Sequence, residues 1–195
     1  MVRFVSIRSL AATLVFALCG AGVTSALAAD NYKVDPVHSS IIFRAQHVQT
    51  GYVYGRFDKF SGTVKVDSDP SNMAFDISID VNSINTGNEK RDGHLKSPDF
   101  FGAKEFSTIT FKSKSVKSAG ENKYEVTGDL TLHGQTKSVT IPVEKTGESN
   151  TPNFGQRVGF ASTFTVKRSD YGMSSMIPMV SDEIALMVGF ECVKQ

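Results

Sequence analysis

Tryptophan is absent from this 195-residue chain, and cysteine occurs twice, at Cys19 and Cys192. With so few thiols a disulfide framework is excluded as the source of stability, so a hydrophobic core must supply it. No basic surplus exists either. The 21 Lys and Arg side chains face 20 Asp and Glu, which removes the electrostatic footprint expected of a nucleic-acid binder. Beyond residue 29 nothing approaches the roughly eighteen consecutive apolar residues of a membrane-spanning helix. Histidine is equally sparse. His38, His47, His94 and His133 show no metal-ligand spacing. "HSS" at 38–40 has no strained-elbow glycines, and Ser39 falls on the strand face opposite His38, so a hydrolase reading has no nucleophile.

The start of the chain is of another kind. Arg3 and Arg8 precede an uncharged run from Ser9 to Ala29, and "SALAAD" offers small residues at Ala26 and Ala28. This pattern reads as a secretory signal peptide over residues 1–29, cleaved near Ala28 or Ala29. Cys19 raises a lipoprotein alternative, but Leu18 stands where lipoprotein processing wants a small residue. Cleavage leaves a single domain over 30–195 in the periplasm or outside the cell, of a size that supports a sizeable core. Cys192 then stands alone in an apolar alternating run, as a buried small hydrophobe would.

Period two dominates this domain. In "MAFDISIDVN" Phe75, Ile77, Ile79 and Val81 share one face while Asp76, Ser78 and Asp80 share the other. The paired carboxylates Asp76 and Asp80 thus read as a solvated face. Similar runs occur at 124–132, 139–143, 158–166 and 184–192, with less regular ones at 39–48, 53–67 and 106–117, about eight strands in all. Turn clusters at 67–72, 118–122 and 133–136 join neighbours as hairpins, which makes the sheet antiparallel. Pro142 lacks a ladder donor and belongs at an edge or bulge. Eight such strands could close as a barrel or split into a sandwich, and periodicity does not choose.

Two insertions interrupt the meander. "KRDGHLKSPDFF" at 90–101 is strongly charged yet ends on two phenylalanines; Asn88 and Ser97 are helix caps, Pro98 a first-turn residue and Gly102 a stop, predicting two short helical turns. The second, at 169–181, carries Met173, Met176 and Met179. Thioethers are soft ligands for Cu(I), so a periplasmic copper-binding protein is one reading of that loop; packing of flexible side chains on an irregular apolar surface is the other.

"YKVDPVHSSIIFRAQH", "GRFDKFSGTV", "KRDGHLKSPDFFGAKEFSTITF", "GDLTLHGQTKSVTIPV" and "FTVKRSDYGM", in this order, closely resemble the YceI-like family of exported lipid-binding proteins. The resemblance implies an all-β fold: an eight-stranded antiparallel lipocalin-like barrel with a short helical insert. It also implies a function, enclosure of one long amphipathic molecule such as an isoprenoid quinone or prenyl pyrophosphate, with transport or storage and no catalysis. Neither a cofactor nor a catalytic residue is called for. The expected partner is this isoprenoid or another long-chain amphipathic lipid, with no nucleic acid and no membrane span, and a homodimer is left open. Strand phase nominates as tail-binding residues Phe43, Phe75, Ile77, Ile79, Phe111, Leu130, Leu132, Ile141, Phe160, Phe164, Ile184, Leu186 and Phe190. Phe100 and Phe101 are expected to turn down and cap the lumen. Arg91 and His94 are the head-group candidates, with an ion pair from Arg91 to Asp92 or Asp170 as the competing structural role.

Overall fold

The computed structural model describes Met1 and residues 29–195. The leader read from the sequence, with Cys19 and the cleavage boundary at Ala28, lies outside the described residues. In chain order the strand segments are β1 (Asp30–Val34), β2 (Ser40–His47), β3 (Gly51–Phe57), β4 (Phe60–Val66), β5 (Ala74–Asp80) and β6 (Ile84–Asn85). After the helix α1 (Glu89–Leu95) come β7 (Thr108–Gly120), β8 (Lys123–Leu132), β9 (Gln135–Thr151), β10 (Gly155–Lys167) and β11 (Val180–Lys194). All neighbours are antiparallel, and β1 closes the ring by pairing with both β4 and β11.

Six of the segments are halves of bent strands. β1 and β2 both pair with β11, and they meet β4 and β3 respectively, so the chain merely kinks at 35–39. β3 and β4 are divided at 58–59, and β5 and β6 by a single 3₁₀ turn at Val81–Ser83. Counted through these bends, the barrel has the eight strands that the alternation foreshadows. The bends also explain why the 53–67 run looks irregular in sequence: its inward phase resets at Asp58 and Lys59. β1 carries too short an alternation to be read alone. β9 runs past the apolar 139–143 stretch to Thr151, where the β9–β10 hairpin leaves the core and both its faces are exposed and polar.

One end of the barrel, the far end, holds the β4–β5, β7–β8 and β9–β10 connections. The other, capped end holds the β2–β3 turn, the 86–107 insert, the β8–β9 turn and the 168–179 loop. At the β8–β9 turn His133 and Gly134 have φ of 51° and 71°, a two-residue turn of the primed type that suits hairpin twist. A Cβ on Gly134 would run into the Phe106 ring, so glycine is required there twice over.

Inward side chains form two clusters. At the far end Tyr32, Val34, Val64, Met73, Val116, Val158 and Cys192 pack against one another and are almost wholly buried. Burial pushes the Cys192 thiol up to about 12, which fits an inert core residue. The second cluster, under the insert, includes Ile41, Phe43, Phe57, Ile109, Leu130, Tyr171 and Met173. Among the described residues no helix is long and apolar enough to cross a membrane.

Candidate functional site: an apolar cavity under a cap

Between the packed far end and the insert the barrel is hollow. The cavity measures about 190 Å³ and its wall is built from β2, β3, β5 and β7–β11 together with the insert. Every residue nominated by strand phase lies on that wall: Phe43, Phe75, Ile77, Ile79, Phe111, Leu130, Leu132, Ile141, Phe160, Phe164, Ile184, Leu186 and Phe190. Phe100 and Phe101 lie on it as well. Ile184, Leu186, Val188 and Phe190 all point inward along β11, yet each is only half buried, because it faces open space and not another side chain. From Ile184 to Phe190 the wall extends roughly 20 Å along the strand. Its polar residues are Ser162 and Arg168, and both have their polar atoms turned to the backbone, to Pro142 O in one case and to loop carbonyls in the other.

The cap is held by its own polar groups. Asn88 Oδ1 accepts from the Arg91 backbone N–H at 3.0 Å and caps α1. Asp92 Oδ1 accepts from both the N–H and the hydroxyl of Thr86, at 2.9 and 2.5 Å. After α1 the chain makes a turn, not a second helix: the Phe100 N–H donates to Ser97 O at 3.1 Å, and Gly102 at φ 55° ends it. This turn drives Phe100 and Phe101 inward. Phe101 meets Phe57 edge-on with ring centres 5.9 Å apart, and Phe100 is 6% exposed.

Arg91 and His94 take no part in the wall. Arg91 is exposed and donates from Nε and Nη2 to the hydroxyl and carbonyl of Thr86, each at 2.7 Å. Neither Asp92 nor Asp170 is its partner, contrary to the ion pair weighed from sequence; Thr86 serves both Arg91 and Asp92 and knits the start of the insert. His94 Nε2 is 3.0 Å from Asp99 Oδ2, with its ring edge-on to Phe100. Both residues brace the cap from outside, and the charge that drew notice in the sequence is the solvent face of a lid.

Sequence reasoning passed over a buried cation. Arg168 is 4% exposed and donates from Nε to Ser181 O, from Nη1 to Met173 O and from Nη2 to Val180 O, at 2.9, 2.6 and 3.0 Å. Burial holds its pKa below the ordinary guanidinium value. Nothing local marks an arginine after an exposed lysine as buried; the donors of a rigid fork are what the 168–181 loop requires to close over the barrel. Met173 is drawn in with it, to 3% exposure, while Met176 and Met179 lie at the surface. The methionines therefore occupy different environments. With Met173 on the cavity wall and the other two facing solvent, nothing among the described residues supports the copper reading.

His133 is also more than a turn residue. Its Nδ1 lies 3.0 Å from Tyr171 O and its ring packs on Phe106, so the β8–β9 turn is tied to both insertions. At the β1–β2 kink Asp35, His38 and Glu191 come within 4.8 Å of one another. Arg157 Nη1 sits among them, 2.9 Å from Asp35 and bonded also to Glu191, so the carboxylates already have their cation. The hydrogen bond from His38, then that from Arg157, holds the Asp35 carboxyl well below the usual range.

The wall has one seam. β9 pairs with β10 from Gly155↔Thr151 to Ala161↔Glu144, and no rung joins residues 162–167 of β10 to β9. The register shift between Gly159 and Phe160 bends the strands just below this point, and Pro142, which has no N–H to give, stands where pairing ends. The Ser162 hydroxyl donates to Pro142 O at 2.5 Å and pins the lower corner. The His133–Tyr171 contact closes the upper one.

A YceI-like domain model matches residues 32–192. The chain is 41% identical over 153 residues to a UPF0312 protein of Vibrio cholerae, covering 76% of this chain and 80% of that one. It is 36% identical over 174 residues to the protein YceI of Salmonella newport, covering 88% and 90%. Among solved structures, Burkholderia cenocepacia BcnA superposes with a TM-score of 0.75 at 28% identity, over 81% of this chain and 98% of that one. A polyisoprenoid binding domain from Saccharophagus degradans shares the fold, with a TM-score of 0.66 at 18% identity over 84% and 98%.

Proposed function

Since the chain belongs to the YceI-like family, we propose that it is an exported binding protein that encloses the apolar tail of one isoprenoid lipid, a quinone or a prenyl phosphate, within its barrel. The observation that carries this reading is the cavity: its wall is aromatic and aliphatic, and its few polar atoms are turned away. An apolar cavity stays dry, so an apolar tail entering it displaces little ordered water and gains roughly 25 cal/mol for each Å² it buries, less the cost of ordering a flexible chain. Among the described residues the polar side chains on the wall, Ser162 and Arg168, are engaged with backbone carbonyls. Transport, storage or sequestration, without catalysis, is the matching role, and the leader-like pattern of residues 1–29 supports a location in the periplasm or outside the cell.

Native mass spectrometry of the protein recovered from its own cells, followed by solvent extraction, tests the proposal. The expected result is a bound species of discrete mass, released by solvent and carrying an isoprenoid tail. Recovery of the bare polypeptide alone, together with no saturable uptake of a prenyl phosphate by the solvent-extracted protein, would overturn it.

A further inference from the structure

We infer that the lipid passes sideways through the seam between β9 and β10, and that its head group, anionic in character, stays outside at the upper rim beside Lys137. This inference rests on the lipid-binding reading above and adds to it a route and a head-group class.

Three observations converge on the seam. First, the capped end is shut: Phe100 is buried, Phe101 packs on Phe57, and Thr86, Asn88 and Asp92 hydrogen-bond the insert in place. The far end is filled by close-packed side chains. Second, the missing rungs at 162–167 leave about 17 Å of strand length along which the backbones are not joined. On the inward phase at this seam Val139, Phe164 and Val166 are half buried, so apolar side chains lie directly behind the gap in the ladder. Third, Lys137 pairs with Leu130 and so stands on the inward phase of β9, yet it is exposed. Two residues into β9, its stem carries the ammonium to water at the upper rim, where the seam begins. Among the described residues it makes no ion pair.

The chemistry of the head group follows. A wall without available hydrogen-bond donors or acceptors would strip a polar head of water and return nothing, so the head must remain at an opening. The upper part of the seam offers the ammonium of Lys137 and, on the outer face of β10, that of Lys167; Glu144 lies at the lower end. A phosphate or carboxylate therefore rests at the top, with the tail running down toward Phe160 and Phe190.

The seam can be closed chemically. Thr140 and Thr165 are exposed and flank it, and Cys192 is too buried to compete for reagents, so T140C/T165C can be bridged with a bis-maleimide. Phe60→Trp, beside Phe190, gives the chain its one tryptophan as a reporter of tail arrival. Before bridging, this protein should bind geranylgeranyl phosphate; failure there would count against the lipid-binding reading itself. After bridging, association and release should slow at least tenfold, with ligand loaded beforehand kept inside. Unchanged exchange after complete bridging would overturn the lateral route. Lys137→Glu should weaken geranylgeranyl phosphate about tenfold and leave geranylgeraniol, the same tail with a neutral head, unaltered. Equal effects on the two ligands, or none on either, would overturn the head-group assignment.

Discussion

The two halves of the barrel are built from the same strands and the same alternation, but one is solid and the other hollow. At the far end valines and the small Cys192 pack together, and Val64, Val158 and Cys192 are 0 to 2% exposed. In the capped half, phenylalanines and long aliphatics line open space, and Phe75 and Phe160, whose rings meet edge-on with centres 5.3 Å apart, form its floor. Larger side chains do not by themselves fill a barrel. The bends at 35–39 and 58–59 and the parting of β9 from β10 fall in the strands that surround the hollow half. The solid half stabilises the fold at close-packed density, and the hollow half keeps room for a guest.

Substitutions that fall on the two sides of this divide should behave differently. The largest loss is expected where the hollow half is closed over: Arg168→Met leaves the carbonyls of Met173, Val180 and Ser181 without their donor and should lower stability by about 3 kcal/mol in urea unfolding. Next, Val158→Phe adds bulk to the solid end and should cost about 2 kcal/mol with little effect on binding at temperatures where the variant stays folded. Val188→Phe adds the same bulk to the hollow half. It should cost less than about 1 kcal/mol, because the ring finds space, while reducing affinity for geranylgeranyl phosphate tenfold or more. If both valine variants are equally destabilised, the contrast between the halves is wrong.

A smaller effect concerns the clasp at the β1–β2 kink. His38 and Arg157 lower the folded-state pKa of Asp35, so the stability it adds is full above the ordinary carboxyl value of about 4 and is lost as pH falls toward the lower folded value. Denaturant titrations at neutral and acid pH should show the native protein losing more stability on acidification than Asp35→Asn. An identical pH profile for the two would remove Asp35 from the account. Smallest of all, Cys192 should ignore a disulfide reagent until the barrel unfolds, since its thiol is both buried and raised to about 12.

How much of this could be read in advance depends on whether the information is local. Phe75, Ile77 and Ile79, like Ile184, Leu186 and Phe190, lie in uninterrupted period-two runs, so their common face was visible from spacing. Phe57 and Ile41 reach the same cavity but sit beside strand bends, where the phase resets. The turn of Phe100 and Phe101 into the lumen was legible because Asn88, Ser97 and Gly102 fix where the insert starts, bends and stops. The placement of Arg91 and His94 was not, since charge density within a segment says nothing about which side of a lid it occupies. Arg168, His133 and the β9–β10 seam depend on partners far along the chain: carbonyls at 173–181, Tyr171 O and a register between strands. Only Pro142 gave a hint of the last, as a residue unable to continue a ladder on both sides.

The central claim is that a hollow apolar half accepts one lipid tail. Calorimetric titration of the lipid-free protein with geranylgeranyl phosphate at several temperatures addresses it directly. One saturable site with a negative heat-capacity change, the mark of apolar burial, is the expected result. No saturable heat at any temperature, or binding that survives intact in Val188→Phe, would contradict it.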